Sequence, residues 1–137
     1  MEEPRETPDR SSQGPVRVAI VDDDPGIVKV ISVILKTNGF EVVDALSGAG
    51  ALALIKAERP DVVLLDIMMP DVDGFEVCRQ LKEDPETSGI PVVFVSAKTG
   101  TDHVDKGLEL GAAGYIIKPF APAVMIAKIR EVTNRSG

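Results

Sequence analysis

Oxygen-rich or cationic side chains stand directly after apolar runs in four separate stretches: Asp22-Asp23-Asp24, Asp66, Ser96 and Lys118. A carboxylate ending a run as apolar as DVVLLD (61–66) is costly to bury unless it is paired, hydrogen-bonded or bound to a metal. Crowded carboxylates also repel one another, and a divalent cation relieves that repulsion. The donors are oxygens, and the chain has one Cys and one His. The expected ion is therefore Mg2+ or Mn2+ rather than zinc. A hydroxyl and a lysine opposite such an ion can hold the remaining oxygens of a phosphoryl group. The chemistry these residue types suggest is placement of a phosphoryl group on or beside a carboxylate.

Each residue alone has an ordinary explanation. Asp24 precedes Pro25 and reads as a helix cap. Asp22 and Asp23 could be solvated loop acids, Asp66 could cap a turn, Ser96 could satisfy backbone at a strand end, and Lys118 could be a surface lysine. What favours a shared site is their common placement at strand ends, and this depends on the elements that carry them.

Five β-branched runs bounded by turn residues read as strands: 16–21, 41–45, 61–66, 91–96 and 114–118. Three of them are almost continuously apolar, as in a parallel sheet buried on both faces. Helical patterns follow over 25–38, 48–58, 74–83, 101–110 and 122–134. The first stops at Gly39 and carries Ile27, Val30, Ile31, Ile34 and Leu35 as its apolar stripe. The last carries Val124, Ile126, Ala127, Ile129 and Val132. This alternation predicts a single (βα)5 α/β domain, a five-stranded parallel sheet of order 2-1-3-4-5 with helices on both faces. Sites on such sheets lie beyond the carboxyl ends of the strands, near the switch in strand order. Asp22, Asp23, Asp66, Ser96 and Lys118 all leave their strands at that edge.

Composition sets the frame. Twenty-two acids against 15 bases leave a net charge of −7, which argues against direct nucleic-acid binding by this chain. Residues 1–15 contain three prolines and no apolar periodicity, and read as a disordered arm without the apolar centre of a signal peptide. Residues 16–134 form the expected domain, and 135–137 a short tail. No run reaches the ~20 apolar residues of a membrane helix. A single cysteine, Cys78, fits a reducing compartment and a packing role, so a cytoplasmic protein is expected. The lone His103 is expected on the surface of the fourth helix.

On VDDDP (21–25), LLDIMMPDVDG (64–74), FVSAK (94–98) and GYIIKPF (114–120), the chain resembles the receiver domain of two-component response regulators, with its flavodoxin-like fold. The resemblance implies that Asp66 is the phosphoacceptor, taking a phosphoryl group from a sensor histidine kinase or phosphotransfer protein. It implies that Asp22 and Asp23 hold Mg2+ together with Asp66 and the Met68 carbonyl, and that Ser96 and Lys118 contact the phosphoryl oxygens. It makes Ser96 and Tyr115 a switch pair, with Ala97 leaving room beside them, and makes Lys118-Pro119 a cis peptide. The signal would leave through the surface of the fourth helix, fifth strand and fifth helix, toward an output partner or output domain. A phosphorylation-dependent homodimer stays open. Met68 and Lys98, two residues beyond Asp66 and Ser96, are neither carboxylates nor amides, so self-dephosphorylation should be slow, and no independent enzyme activity is expected beyond it and Mg-dependent self-phosphorylation. Met68 and Met69 are read as loop positions. Pro70 and Gly74 shape the same loop, Gly74 through a turn where positive φ suits glycine.

Three features separate this chain from neighbouring possibilities. Ala112-Ala113-Gly114 stands where winged-helix transcription factors of the family carry acids, which weighs against their charge-paired dimer. An aspartate-dependent phosphatase beginning D-x-D at Asp22 would need Thr or Val where Gly26 stands. A pseudo-receiver would not need the full set of Asp22, Asp23, Asp66, Ser96 and Lys118.

Overall fold

The computed structural model describes residues 14–97 and 100–133. Most of the expected N-terminal arm, Lys98, Asn134 and the tail lie outside the described residues. The elements run β1 (Arg17–Val21), α1 (Pro25–Thr37), β2 (Glu41–Ala45), α2 (Gly48–Glu58), β3 (Val62–Leu65), α3 (Gly74–Glu83), β4 (Val92–Ser96), α4 (Thr101–Glu109), β5 (Gly114–Ile117) and α5 (Pro122–Thr133). All strand pairs are parallel, in the order β2-β1-β3-β4-β5. This is the expected (βα)5 architecture.

Strand alternation divides the interior in two. Val18, Ile20, Leu64, Val93 and Val95 face one way and meet Val28, Ile31 and Leu35 of α1 and Met125 and Ile129 of α5. Ala19, Val21, Val63, Leu65 and Phe94 face the other way and meet Ala51 and Ile55 of α2 and Val77, Cys78 and Leu81 of α3. Each fully buried Leu or Ile side chain contributes roughly 1.5–3 kcal/mol by leaving water. Together the two layers hold the central strands rigid, and their carboxyl ends with them. Cys78 is buried, as its packing role requires.

Helix boundaries follow local chemistry. Asp24 caps α1, its carboxylate accepting the N–H of Gly26 at 2.9 Å, and Pro25 occupies the first turn. Beyond α1, Gly39 takes φ +90°. Asp73 caps α3 through the N–H of Glu76.

Three expectations need correcting. In α1 the buried face is Val28, Ile31 and Leu35, while Val30 is 60% exposed. The helix is apolar nearly all round, so several stripes fit a 3.6-residue period, and docking on β1 selects one of them. In α5, Met125 and Ile129 are buried, Val124 is 53% exposed and Ala127 faces solvent. Met69 lies in a loop by backbone, yet its side chain is buried in the second core layer, whereas Met68 is exposed.

Candidate functional site: an acidic pocket at the carboxyl edge of the sheet

β1 and β3 are neighbours in register, Val21 opposite Leu65, so the next residue of each strand, Asp22 and Asp66, emerges at the same edge. The Asp66 N–H donates to the Val21 carbonyl at 2.9 Å, and the Asp22 N–H donates to the Ala45 carbonyl at 3.2 Å. These bonds extend the sheet by one residue and aim both acids. At the far side, the Lys118 N–H donates to the Ser96 carbonyl at 2.9 Å, which ties β4 and β5 at their ends.

The carboxylates of Asp22, Asp23 and Asp66 each offer an oxygen, and these oxygens lie within 4.8 Å of one another. Asp22 and Asp66 are buried and Asp23 is exposed, giving a pocket open on one side. Lys118 spans the buried pair: its Nζ lies 2.8 Å from Asp22 Oδ2 and 3.8 Å from Asp66 Oδ2. Asp22 Oδ1 also accepts the Asp24 N–H at 3.0 Å. Burial pushes the Asp66 carboxyl above the ordinary range; the Lys118 ammonium opposes the shift, Asp22 adds to it, and the N–H groups of Met68 and Ile67 favour the ionised form. Asp66 is thus a carboxylate stripped of water and in need of cationic company.

Ser96 is fully buried at the end of β4. The Tyr115 hydroxyl hydrogen-bonds the Ser96 side chain, and burial raises the tyrosine's pKa. The Tyr115 ring stacks obliquely on Phe94, centroids 6.0 Å apart, and Phe94 meets Phe75 edge-on at 5.3 Å. Ser96 and Tyr115 are therefore in contact with each other. The Lys118-Pro119 peptide is cis.

Beside Asp23, Met68, Met69, Pro70, Phe75 and His103 line an open groove of about 550 Å3. His103, on α4, is half-buried along this groove. Gly74 has a different reason from the expected one. Its φ is not positive; a Cβ at this position would run into the Asp66 carbonyl and the Ile67 backbone. The loop packs so tightly behind the acidic edge that a side chain has no room.

Asp71, which sequence reasoning passed over, accepts the N–H groups of Gly48 and Ala49 at the start of α2, both at 3.0 Å. Its one visible signal is a second acid in DVDG beyond the one needed to cap α3.

These acids, the lysine and the hydroxyl stand on strand ends of a 2-1-3-4-5 sheet, and the sequence matches the family model described as the response regulator receiver domain over residues 18–130. The chain belongs to the response regulator receiver family. Among similar proteins, the DNA-binding response regulator MtrA of Mycobacterium tuberculosis is 41% identical over 120 residues, covering 88% of this chain and 51% of that protein. The response regulator PleD of Caulobacter vibrioides is 41% identical over 118 residues, 86% of this chain and 26% of that protein. The chain thus spans about half the length of the MtrA relatives and about a quarter of PleD. Among solved structures, the CheY-like receiver domain protein of Methanospirillum hungatei has a TM-score of 0.82 at 30% identity, covering 88% of this chain and 95% of that one. The chemotaxis protein CheY4 of Vibrio cholerae gives 0.82 at 29% identity, with 87% and 99% covered.

Receiver domains are phosphoacceptor switches of two-component systems that typically bind Mg2+ at an acidic pocket, and the three clustered aspartates fit such an ion: the donors are all oxygen, and one side is open to water. The membership displaces the D-x-D phosphatase alternative, and Asp24, its required acid, is committed to capping α1. No helix among the described residues is long and apolar enough to cross a membrane.

Proposed function

We propose that this chain, as the receiver unit spanning residues 16–134, accepts a phosphoryl group on Asp66 from the phosphohistidine of a sensor histidine kinase or phosphotransfer protein. The observation that carries this reading is the convergence of Asp22, Asp23, Asp66 and Lys118 from three strand ends. Asp22, Asp23, Asp66 and the Met68 carbonyl would hold Mg2+, which when bound neutralises charge on the transferring phosphoryl oxygens.

The protein's own groups do the rest by position. The Ile67 and Met68 N–H groups orient the Asp66 carboxylate so that one oxygen faces the phosphorus. A P–O bond forms to that oxygen as the P–N bond to the donor imidazole breaks, and the imidazole takes a proton from water. Lys118, now bound to Asp22, turns to a phosphoryl oxygen, and the Ser96 hydroxyl donates to another. Ser96 leaves its contact with Tyr115, and Tyr115 and Phe94, which pack against Gly107 of α4, carry the change to the surface of α4, β5 and α5. The result is a population shift driven by contacts that only the phosphorylated state offers. The exposed Met68 cannot orient water, which supports slow self-dephosphorylation.

The altered surface would regulate a partner or an output domain in the cytoplasm, with a phosphorylation-dependent homodimer as one route. MtrA is named DNA-binding, and this chain corresponds to only part of it; any DNA contact here would belong to an output region rather than to this acidic unit. Incubation with a small-molecule phosphodonor, with and without Mg2+, tests the reading. Mg-dependent labelling of the wild type that vanishes in Asp66→Asn supports it. Labelling that is absent from the wild type, or that survives in the variant, overturns it.

A further inference from the structure

The loop between β3 and α3, residues 66–73, carries the Met68 peptide, whose N–H favours the ionised form of the Asp66 carboxyl. Its two ends meet, because the Gly74 N–H donates to the Ile67 carbonyl at 2.8 Å. Its outer limb reaches a different element. Asp71 Oδ1 accepts the Gly48 N–H and Oδ2 accepts the Ala49 N–H, both at 3.0 Å, across 23 and 22 residues of sequence. The partners are first-turn amides of α2, where the helix dipole favours an anion. The N–H groups pull the Asp71 carboxyl down to about 2.

Two residues share the capping of α2: the Ser47 hydroxyl accepts the Gly50 N–H at 3.0 Å, and Asp71, from the distant loop, takes the Gly48 and Ala49 N–H groups that Ser47 leaves. The loop is also fitted to α2 sterically: a Cβ on Gly48 would sit 2.5 Å from the Val72 carbonyl oxygen and 2.8 Å from Val72 Cβ. The limb is thus pinned at Ile67, whose carbonyl accepts the Gly74 N–H, and at Asp71 against α2, and the Met68 peptide lies between those pins.

We propose that Asp71 is a positioning residue for the phosphoacceptor site: by clamping the loop to the start of α2 it fixes the Met68 peptide, whose N–H orients Asp66 and whose carbonyl would face the cation. This rests on the function proposed above. Outer groups that fix metal-binding atoms typically govern affinity by ten-fold or more when removed. Asp71 reaches the site through the backbone and touches no reacting atom.

The test compares Asp71→Ala and Asp71→Asn with Ser47→Ala, which removes the local cap of the same helix. Calorimetric Mg2+ titration of the folded proteins, and hydrogen exchange at the Met68 amide without metal, are read beside urea stability. Asp71→Ala should weaken Mg2+ binding about ten-fold and speed exchange at Met68. Asp71→Asn, which keeps the volume and one accepting oxygen, should lie between it and wild type and guards against a variant that fails to fold. Ser47→Ala should lose stability without moving either readout. Mg2+ affinity in the Asp71 variants within two-fold of wild type, or an equal change in Ser47→Ala, overturns the proposal. If the wild type itself neither binds Mg2+ nor becomes labelled, the proposed function fails instead; the two failures are distinguishable.

Discussion

Lys118 sits between two buried acids, and Lys118→Met should act in opposite directions on stability and on cation affinity. The substitution keeps the length of the side chain and removes its charge. Lys118 Nζ stands 2.8 Å from Asp22 and 3.8 Å from Asp66, and the side chains of Lys118, Asp22 and Asp66 are 18%, 5% and 10% exposed. Removing one partner of a buried pair leaves the other charge uncompensated, at about 3–5 kcal/mol; the partial exposure of Lys118 places the expected loss near ~3 kcal/mol. Mg2+ should restore much of that loss, because it neutralises the same acids. Unit charges ~4 Å apart interact by about 1 kcal/mol in water, so a divalent ion at comparable range is repelled by Lys118 by about 2 kcal/mol. Its removal should therefore tighten Mg2+ binding by up to roughly thirty-fold. Urea unfolding with and without Mg2+, together with calorimetric titration, reads both effects. A metal-free stability within ~0.5 kcal/mol of wild type, or an unchanged Mg2+ affinity, would refute the role of Lys118 as the resident counter-ion.

Other outcomes follow from the same geometry. Burial raises the Asp66 pKa above its unfolded value, so ionised Asp66 costs stability at neutral pH, and the cost fades as pH falls through the folded value and is gone below the unfolded value. Asp66→Asn should therefore raise the metal-free melting temperature and reduce the increment produced by Mg2+; a lower metal-free value contradicts this. Asp71 and Glu76 are held near 2 from ordinary values of 3.8 and 4.5. Their stabilisation should be complete above about pH 5 and fade as pH falls toward 2, and an acid titration of stability in Asp71→Asn should show a smaller fall through that window. Gly107, the buried residue of α4, would place a Cβ 2.9 Å from Phe94 Cδ2. Gly107→Ala should therefore loosen α4 and lose ~1 kcal/mol or more, read by denaturation and by hydrogen exchange, whereas a gain of ~1 kcal/mol would mean that helix propensity governs the position.

Strand order and the acidic edge were legible in the chain because local signals agree there. Continuously apolar runs such as VVLL can be satisfied only between two helical layers, and Pro25, Gly39 and the capping acids punctuate the helices. Less legible was anything that depends on which of several acceptable packings occurs. PGIVKVISVILKT offers more than one apolar stripe, and docking chose Val28 over Val30. Gly74 looked like a turn glycine, but its need is steric, set by an Asp66 carbonyl that only the folded loop brings close. Asp71 was hidden because the Gly48 and Ala49 amides it binds lie more than 20 residues away in sequence. The contact between Ser96 and Tyr115 likewise exists only once β4 and β5 pair with Ser96 opposite Ile117.

Asp66 is proposed as the residue that carries the phosphoryl group. The direct measurement is chemical trapping of the acyl phosphate by borohydride reduction after Mg-dependent reaction with a phosphodonor, followed by peptide mass spectrometry. One modified residue is expected, Asp66, with no modification at Asp22 or Asp23 and none without Mg2+. A stoichiometric adduct at any other residue, or one undiminished in Asp66→Asn, would contradict it.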